Sequence, residues 1–145
     1  MSTAAVSIID LDIRREQLRA SARSRAVFLS AYERFRELTH HYGIHAQDYE
    51  SWGMGGSTPC LLNISDWLAD FHLAGKETLR GREERLFCLH YMMGLGVNAT
   101  MRTLDLHSCR AFYLMAQTVQ EKLGVEIVRR GLWPVRSHIG IGYFD

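Results

Sequence analysis

The sequence predicts an all-α fold, a helical domain with a helix-turn-helix toward its C-terminal end. Three observations lead there. Apolar residues recur at three- and four-residue steps over most of the chain. Only 2 prolines interrupt it. No segment alternates apolar and polar residues convincingly enough to make a strand. A length of 145 residues with 47% hydrophobic side chains suits one compact domain or two very small ones. Three regions are expected: an N-terminal helical region with a glycine-rich connector over 1–77, a helix-turn-helix over 78–125, and a C-terminal tail over 126–145.

Residues 1–12 carry little periodicity and read as an arm. A helix is expected from Ile13, with Asp10 or Asp12 as its N-cap. Leu18, Ala22, Phe28, Leu29, Tyr32, Phe35 and Leu38 form its apolar stripe, and Arg14, Arg23, Arg34 and Glu37 its polar face. It should end near Gly43. Residues 40–60 have loop composition. A second helix is expected from Asn63 or Ser65, with Ile64, Trp67, Leu68 and Phe71 inward and Gly75 as its stop. A third follows in RGREERLFCLHYMMG, with Leu86, Leu89, His90 and Met93 inward and Gly94 ending it. The final IGIGYFD could run extended.

The net charge of +1 hides segregation. Residues 13–37 hold seven arginines and three glutamates, residues 38–80 two basic and five acidic side chains, and residues 101–136 six basic and three acidic ones. The basic side chains are 15 Arg and only 2 Lys, and arginine suits bidentate contacts with phosphate and guanine. The three cysteines are odd in number and form no C-x-x-C pair, so a disulfide framework is not expected and a reducing cytoplasm is. No apolar run reaches membrane-span length, and the N-terminus lacks the basic start of a signal peptide.

The stretch SWGMGGSTPC at 51–60 resembles a phosphate loop only in its glycines. Pro59 and Cys60 stand where such a loop needs lysine and a hydroxyl, so it reads as a connector, with Trp52 its anchored residue. His40, His41, His45 and Cys60 fit no standard zinc spacing, and Cys88 and His90 are too close to face one site on a helix. Asp66, Asp70, Glu83 and Glu84 are carboxylates at helical spacing that read as solvated faces. Neither Cys60 nor Cys88 has a base and an orienting partner that the sequence can place. No catalytic residue, cofactor or metal is therefore expected. Trp133, Tyr143 and Phe144 belong to a tail that either folds back on the core or forms a partner-binding arm.

The stretch GVNATMRTLDLHSCRAFYLMAQTVQEKLG carries the functional expectation. A short helix is expected over Asn98–Leu104, a turn at Asp105, Leu106 tucked inward, and a longer helix from His107 or Ser108. Ala111, Met115, Val119 and Leu123 would point inward, and Ser108, Cys109, Phe112, Tyr113 and Gln117 outward with Arg110 on the flank. This is a helix-turn-helix pattern. Its second helix fits the major groove, where serine, glutamine and arginine can meet base edges or phosphate. Arg102 on the first helix is placed for a phosphate. The same shape can also serve as an all-α core or a protein-binding surface.

Residues 83–124 resemble the fourth region of bacterial sigma factors and its phage-borne relatives. The shared features are Leu89 and Tyr91, Gly94-Leu95, Leu104 before the turn, Leu106 after it, and the inward residues Ala111 to Leu123. Asp105 replaces the usual turn glycine, and His107 stands where a capping Ser or Thr is usual. A second resemblance, to phage late antitermination proteins of the Q type, rests on Trp52-Gly53, Gly55-Gly56 and Pro59 followed by residues 82–123. Together these imply a phage or prophage regulator that binds double-stranded DNA and acts with bacterial RNA polymerase in the host cytoplasm, with Arg102, Ser108, Cys109, Arg110, Phe112, Tyr113 and Gln117 on DNA. The alternative is a regulator that binds polymerase or another host protein without touching DNA.

Overall fold

The computed structural model describes residues 3–42 and 59–133, with side chains described over 8–40 and 64–133. The expectations for Trp52, the glycines of the connector, His41, His45, the Cys60 side chain and the final IGIGYFD lie outside the described residues. Those described form five helices and no strand. They are α1 (Thr3–Tyr42), α2 (Pro59–Thr78), α3 (Gly81–Leu86, continuing through wide π-type turns over Phe87–Met92), α4 (Val97–Leu104) and α5 (Cys109–Arg129). No helix among the described residues is long and apolar enough to cross a membrane.

The core is one cluster to which every helix contributes. α1 gives Phe28, Ala31, Phe35 and Leu38, and α2 gives Ile64, Trp67, Leu68, Phe71 and Ala74. α3 adds Leu86, Phe87, Tyr91 and Met92, α4 adds Leu104, and α5 adds Phe112, Ala116, Val119, Leu123 and Ile127. Its centre is aromatic. Phe35 stacks on Phe71 at 4.9 Å, and the Tyr91 ring meets Phe28 edge-on at 5.0 Å, geometries that match the charge distribution of the rings. The polar tips of Tyr91 and Trp67 are satisfied. Gln120 donates to the Tyr91 hydroxyl at 2.8 Å, and the Trp67 indole donates to the Leu132 carbonyl at 3.0 Å.

Several local expectations are corrected, each for a physical reason. α1 begins at Thr3, not Ile13, because nothing in residues 3–12 breaks a helix. At 40 residues it is about 60 Å long, against a diameter of roughly 40 Å for a compact chain of this size. Its N-terminal part therefore extends beyond the body. Leu18, Ala22 and Leu29, expected inward, are exposed, Leu18 at 69%, because they fall on a different side of α1 from Phe28, Ala31 and Phe35. α2 starts at Pro59, where a missing N–H costs nothing because the first helical amides have no partner. Gly75 does not stop α2. It lies inside that helix, where a Cβ would come within 2.1 Å of the Phe87 ring.

In α3 the buried residues are Leu86, Phe87, Tyr91 and Met92, while His90 is half-buried and Met93 is 66% exposed. The cause is the π-type turn. The Met93 amide bonds the Cys88 carbonyl at 2.9 Å, five residues back, so residues five apart share a face. In α5 the deepest positions are Phe112, Ala116, Val119, Leu123 and Ile127, whereas Ala111 and Met115 are half-buried. A strict four-residue step advances the face by about 40° each time; mixed steps of three and four stay on it.

α5 is held against α1 at one close crossing. A Cβ on Gly124 would lie 1.9 Å from the Ser24 carbonyl oxygen. Beside it, Arg25 of α1 pairs with Glu121 of α5 at 2.8 Å. The far end of α5 is clamped by Glu126, which accepts hydrogen bonds from Arg129 and from Arg130. Arg130 also reaches Glu77 of α2 at 3.5 Å. The bonds from Arg129, then Arg130, hold the Glu126 carboxyl down at about 2 against an ordinary 4.5.

Two outcomes follow. Gly124→Ala will destabilise the protein by about 3 kcal/mol in urea unfolding, since the clash is with backbone and outweighs alanine's higher helix propensity. Because the Glu126 pKa is depressed on folding, its contribution is complete above about 4.5, declines as pH falls, and is gone below about 2. Glu126→Gln should therefore unfold at lower urea than the parent protein at pH 7, and the two curves should converge in acid below that pH.

Candidate functional site

The surface of interest is built by α4, the link after it and the first three turns of α5. α4 starts after Gly96 and is anchored by Thr100, which is fully buried. The Thr100 hydroxyl donates back to the Gly96 carbonyl at 2.8 Å, which satisfies it inside the core. α4 ends at Leu104. Asp105 then adopts φ 57° and ψ 45°, the left-handed conformation that Asp and Asn tolerate best after glycine. The Leu106 amide closes this end onto the Met101 carbonyl at 2.8 Å.

Arginines of α3 complete the turn. Arg82 donates to the Leu104 carbonyl and, at 3.2 Å, to the Asp105 carbonyl; Arg85 donates to the Thr103 carbonyl at 3.5 Å. The last carbonyls of a helix lack partners within it and carry partial negative charge. Two guanidiniums therefore tie α3 to the end of α4. The sequence alone gives no sign that these arginines are committed to backbone.

The next helix is started by Ser108, not His107. Ser108 is extended, at φ −144°, and its hydroxyl accepts the Ala111 amide at 3.1 Å. The link between α4 and α5 is thus short, and the angle between them is set by Asp105. His90 wedges the start of α5 against the end of α3. A carbonyl only accepts, so the His90 Nδ1 donates to the Leu95 oxygen, at 2.8 Å. The same ring stands edge-on to Phe112 at 5.2 Å.

Phe112, expected to face outward, is instead 1% exposed and belongs to the core. The remaining expected residues are at the surface: Arg102 on α4, Ser108 at the cap, and Cys109, Arg110, Tyr113 and Gln117 on α5. Leu114 joins them, 53% exposed beside Tyr113 at 55%. Helical spacing from Arg110 to Gln117 places Leu114 on that face, so periodicity could have found it. The Arg102 and Arg110 side chains make no hydrogen bond or ion pair among the described residues. The face thus offers two available guanidiniums, a serine, a glutamine and an exposed tyrosine.

The other constellations do not converge. Burial pushes the Cys88 thiol up, and the Glu84 carboxylate adds to that, opposite to what a thiolate nucleophile requires. Among the described residues, no three His, Cys, Asp or Glu side chains group in a way that could hold a metal ion. Trp133 is half-buried against the core. No known protein family, curated protein or solved structure matches the chain.

The Ser108 cap is testable by itself. Ser108→Ala should lower stability by about 1 kcal/mol in urea unfolding, and Ser108→Asp should retain most of it, because a carboxylate can accept the same amide.

Proposed function

We propose that this protein is a DNA-binding transcription regulator whose α4, Asp105 turn and α5 form a helix-turn-helix of the sigma-region-four kind. The observation that carries this reading is the arrangement of α4 and α5. A short helix ends in a left-handed residue, three residues link it to a capped helix, and the first turns of that helix present Ser108, Cys109, Arg110, Tyr113 and Gln117 outward. In a major groove, Arg110 and Gln117 would meet base edges or flanking phosphates, and Tyr113 a thymine methyl or sugar edge. Arg102 would hold a backbone phosphate from the preceding helix. On this reading no reaction chemistry is involved. The protein, of phage or prophage origin, would position bacterial RNA polymerase at a late promoter in the host cytoplasm for activation or antitermination.

A second reading is favoured by one specific feature. Tyr113 and Leu114 are both more than half exposed on the same face, and an adjacent aromatic and aliphatic pair suits a protein partner. The chain would then bind and inhibit polymerase, or another host protein, without DNA.

The two readings separate on duplex binding measured across salt. On the DNA reading affinity falls as salt rises, and Arg102→Ala weakens binding evenly across sequences while reducing the slope by about 1. Gln117→Ala costs about 1–3 kcal/mol on the preferred sequence only. Absence of any duplex shift at low salt, with polymerase still retained in a pull-down, would sink the DNA reading in favour of the second.

A further inference from the structure

The N-terminal part of α1 carries an apolar stripe that nothing in the described chain covers. Ile8, Leu11, Leu18, Ala22 and Leu29 recur at steps of three, four and seven, so they fall on one side of the helix. The four larger ones are between 47 and 69% exposed, and Ala22 is exposed too. Arg15 lies in the same row. Its aliphatic stem can extend the apolar surface while its guanidinium stays in water. The core-facing residues of α1, Phe28, Ala31 and Phe35, are on another side. Large aliphatic side chains in a continuous exposed row mark an interaction surface.

The charges beside the stripe indicate what covers it. Residues 8–13 contain Asp10 and Asp12 and no basic residue; residues 14–23 contain Arg14, Arg15, Arg19 and Arg23 against Glu16 alone. Helical spacing puts Asp12, Arg19 and Arg23 along one edge of the stripe. Their present pairings are local and exposed: Asp12 with Arg15 at 3.9 Å, and Glu16 with Arg19 at 3.7 Å and Arg23 at 3.3 Å. Pairs of that kind hold weakly and exchange readily. A single helix that is acidic at one end and basic at the other is self-complementary when two copies run antiparallel. Asp12 of each copy then meets Arg19 and Arg23 of the other. A parallel pair would set like charges together.

We propose that α1 is a self-association surface, on which a second copy of this chain packs antiparallel over residues 8–23. Two-fold symmetry makes the same patch serve both partners. The proposal stands apart from the DNA reading, since it depends only on α1.

Sedimentation equilibrium of the full chain tests it, with reductant present because Cys109 is exposed. The weight-average mass should rise with concentration from 16.6 kDa toward twice that value. The double variant Leu11→Glu/Leu18→Glu should weaken association by about ten-fold or more, with helical content unchanged because both residues are exposed. Asp12→Arg alone, and Arg19→Glu/Arg23→Glu alone, should each weaken it, and mixing the two should restore association as a heterodimer. A parent protein monomeric at every concentration overturns the proposal and leaves the stripe to a foreign protein. Association that survives the leucine changes overturns the surface. Charge variants that associate as well as the parent overturn the antiparallel arrangement.

Discussion

The crossing of α1 and α5 at Gly124 governs the rest of the structure. With no side chain at that point, the α5 backbone comes against the Ser24 carbonyl, closer than any Cβ allows. That distance lets Phe28 reach Tyr91, and lets Gln120 donate to the Tyr91 hydroxyl. It also brings Glu121 to Arg25. Neither residue of this ion pair is fully desolvated, so its energetic weight is modest. Its value is directional, because it fixes the rotation of α5 about its own axis. That rotation determines which residues of α5 face the core and which face out.

The exposed end of α5 is then set from the other side by α3. The π-type turn displaces His90 and Met93 from the core face and brings in Tyr91 and Met92. His90 is thereby left at the edge, where it ties the Leu95 carbonyl and abuts Phe112. Arg82 and Arg85, from the first turns of the same helix, hold the end of α4. One helix therefore positions both members of the α4–α5 pair, and the surface between them rests on rigid elements at either side. On the DNA reading such rigidity favours binding, since little ordering cost remains to be met.

The class of fold was legible because apolar periodicity is a local signal, and so was the Asp105 turn, whose backbone suits few residue types. Phe112 shows where legibility ends. Its neighbours in a four-residue ladder pointed it outward, but the face drifts along such a ladder, and Phe112 turns into the core against His90. Gly75 shows the same limit: a glycine near a helix end reads as a stop, whereas here it admits the Phe87 ring. The π-type turn has no signature in local propensity, so a face computed at 3.6 residues per turn goes wrong after it. Leu18 fails for a different reason. Its periodicity is truly helical, but with Ala22 and Leu29 it falls on a different side of α1 from Phe28, Ala31 and Phe35.

Arginine accounting gives the proposed function a quantitative shape. The chain is rich in arginine, yet over residues 80–130 most of it is committed internally. Arg82 and Arg85 bind backbone, while Arg129 and Arg130 clamp Glu126. On the DNA reading, Arg102 and Arg110 remain for phosphates. Two neutralised phosphates give a salt slope of only about −2, the signature of a module too weak to hold a site alone. Two copies joined through α1 would double the slope and tether the second module near the first, raising its effective concentration. The arginine content suggests a cationic binder, but over residues 80–130 the hydrogen bonds show that Arg82, Arg85, Arg129 and Arg130 hold the scaffold. On the DNA reading, affinity would then have to come from a second copy or from polymerase, and the helix-turn-helix would contribute mainly position and sequence.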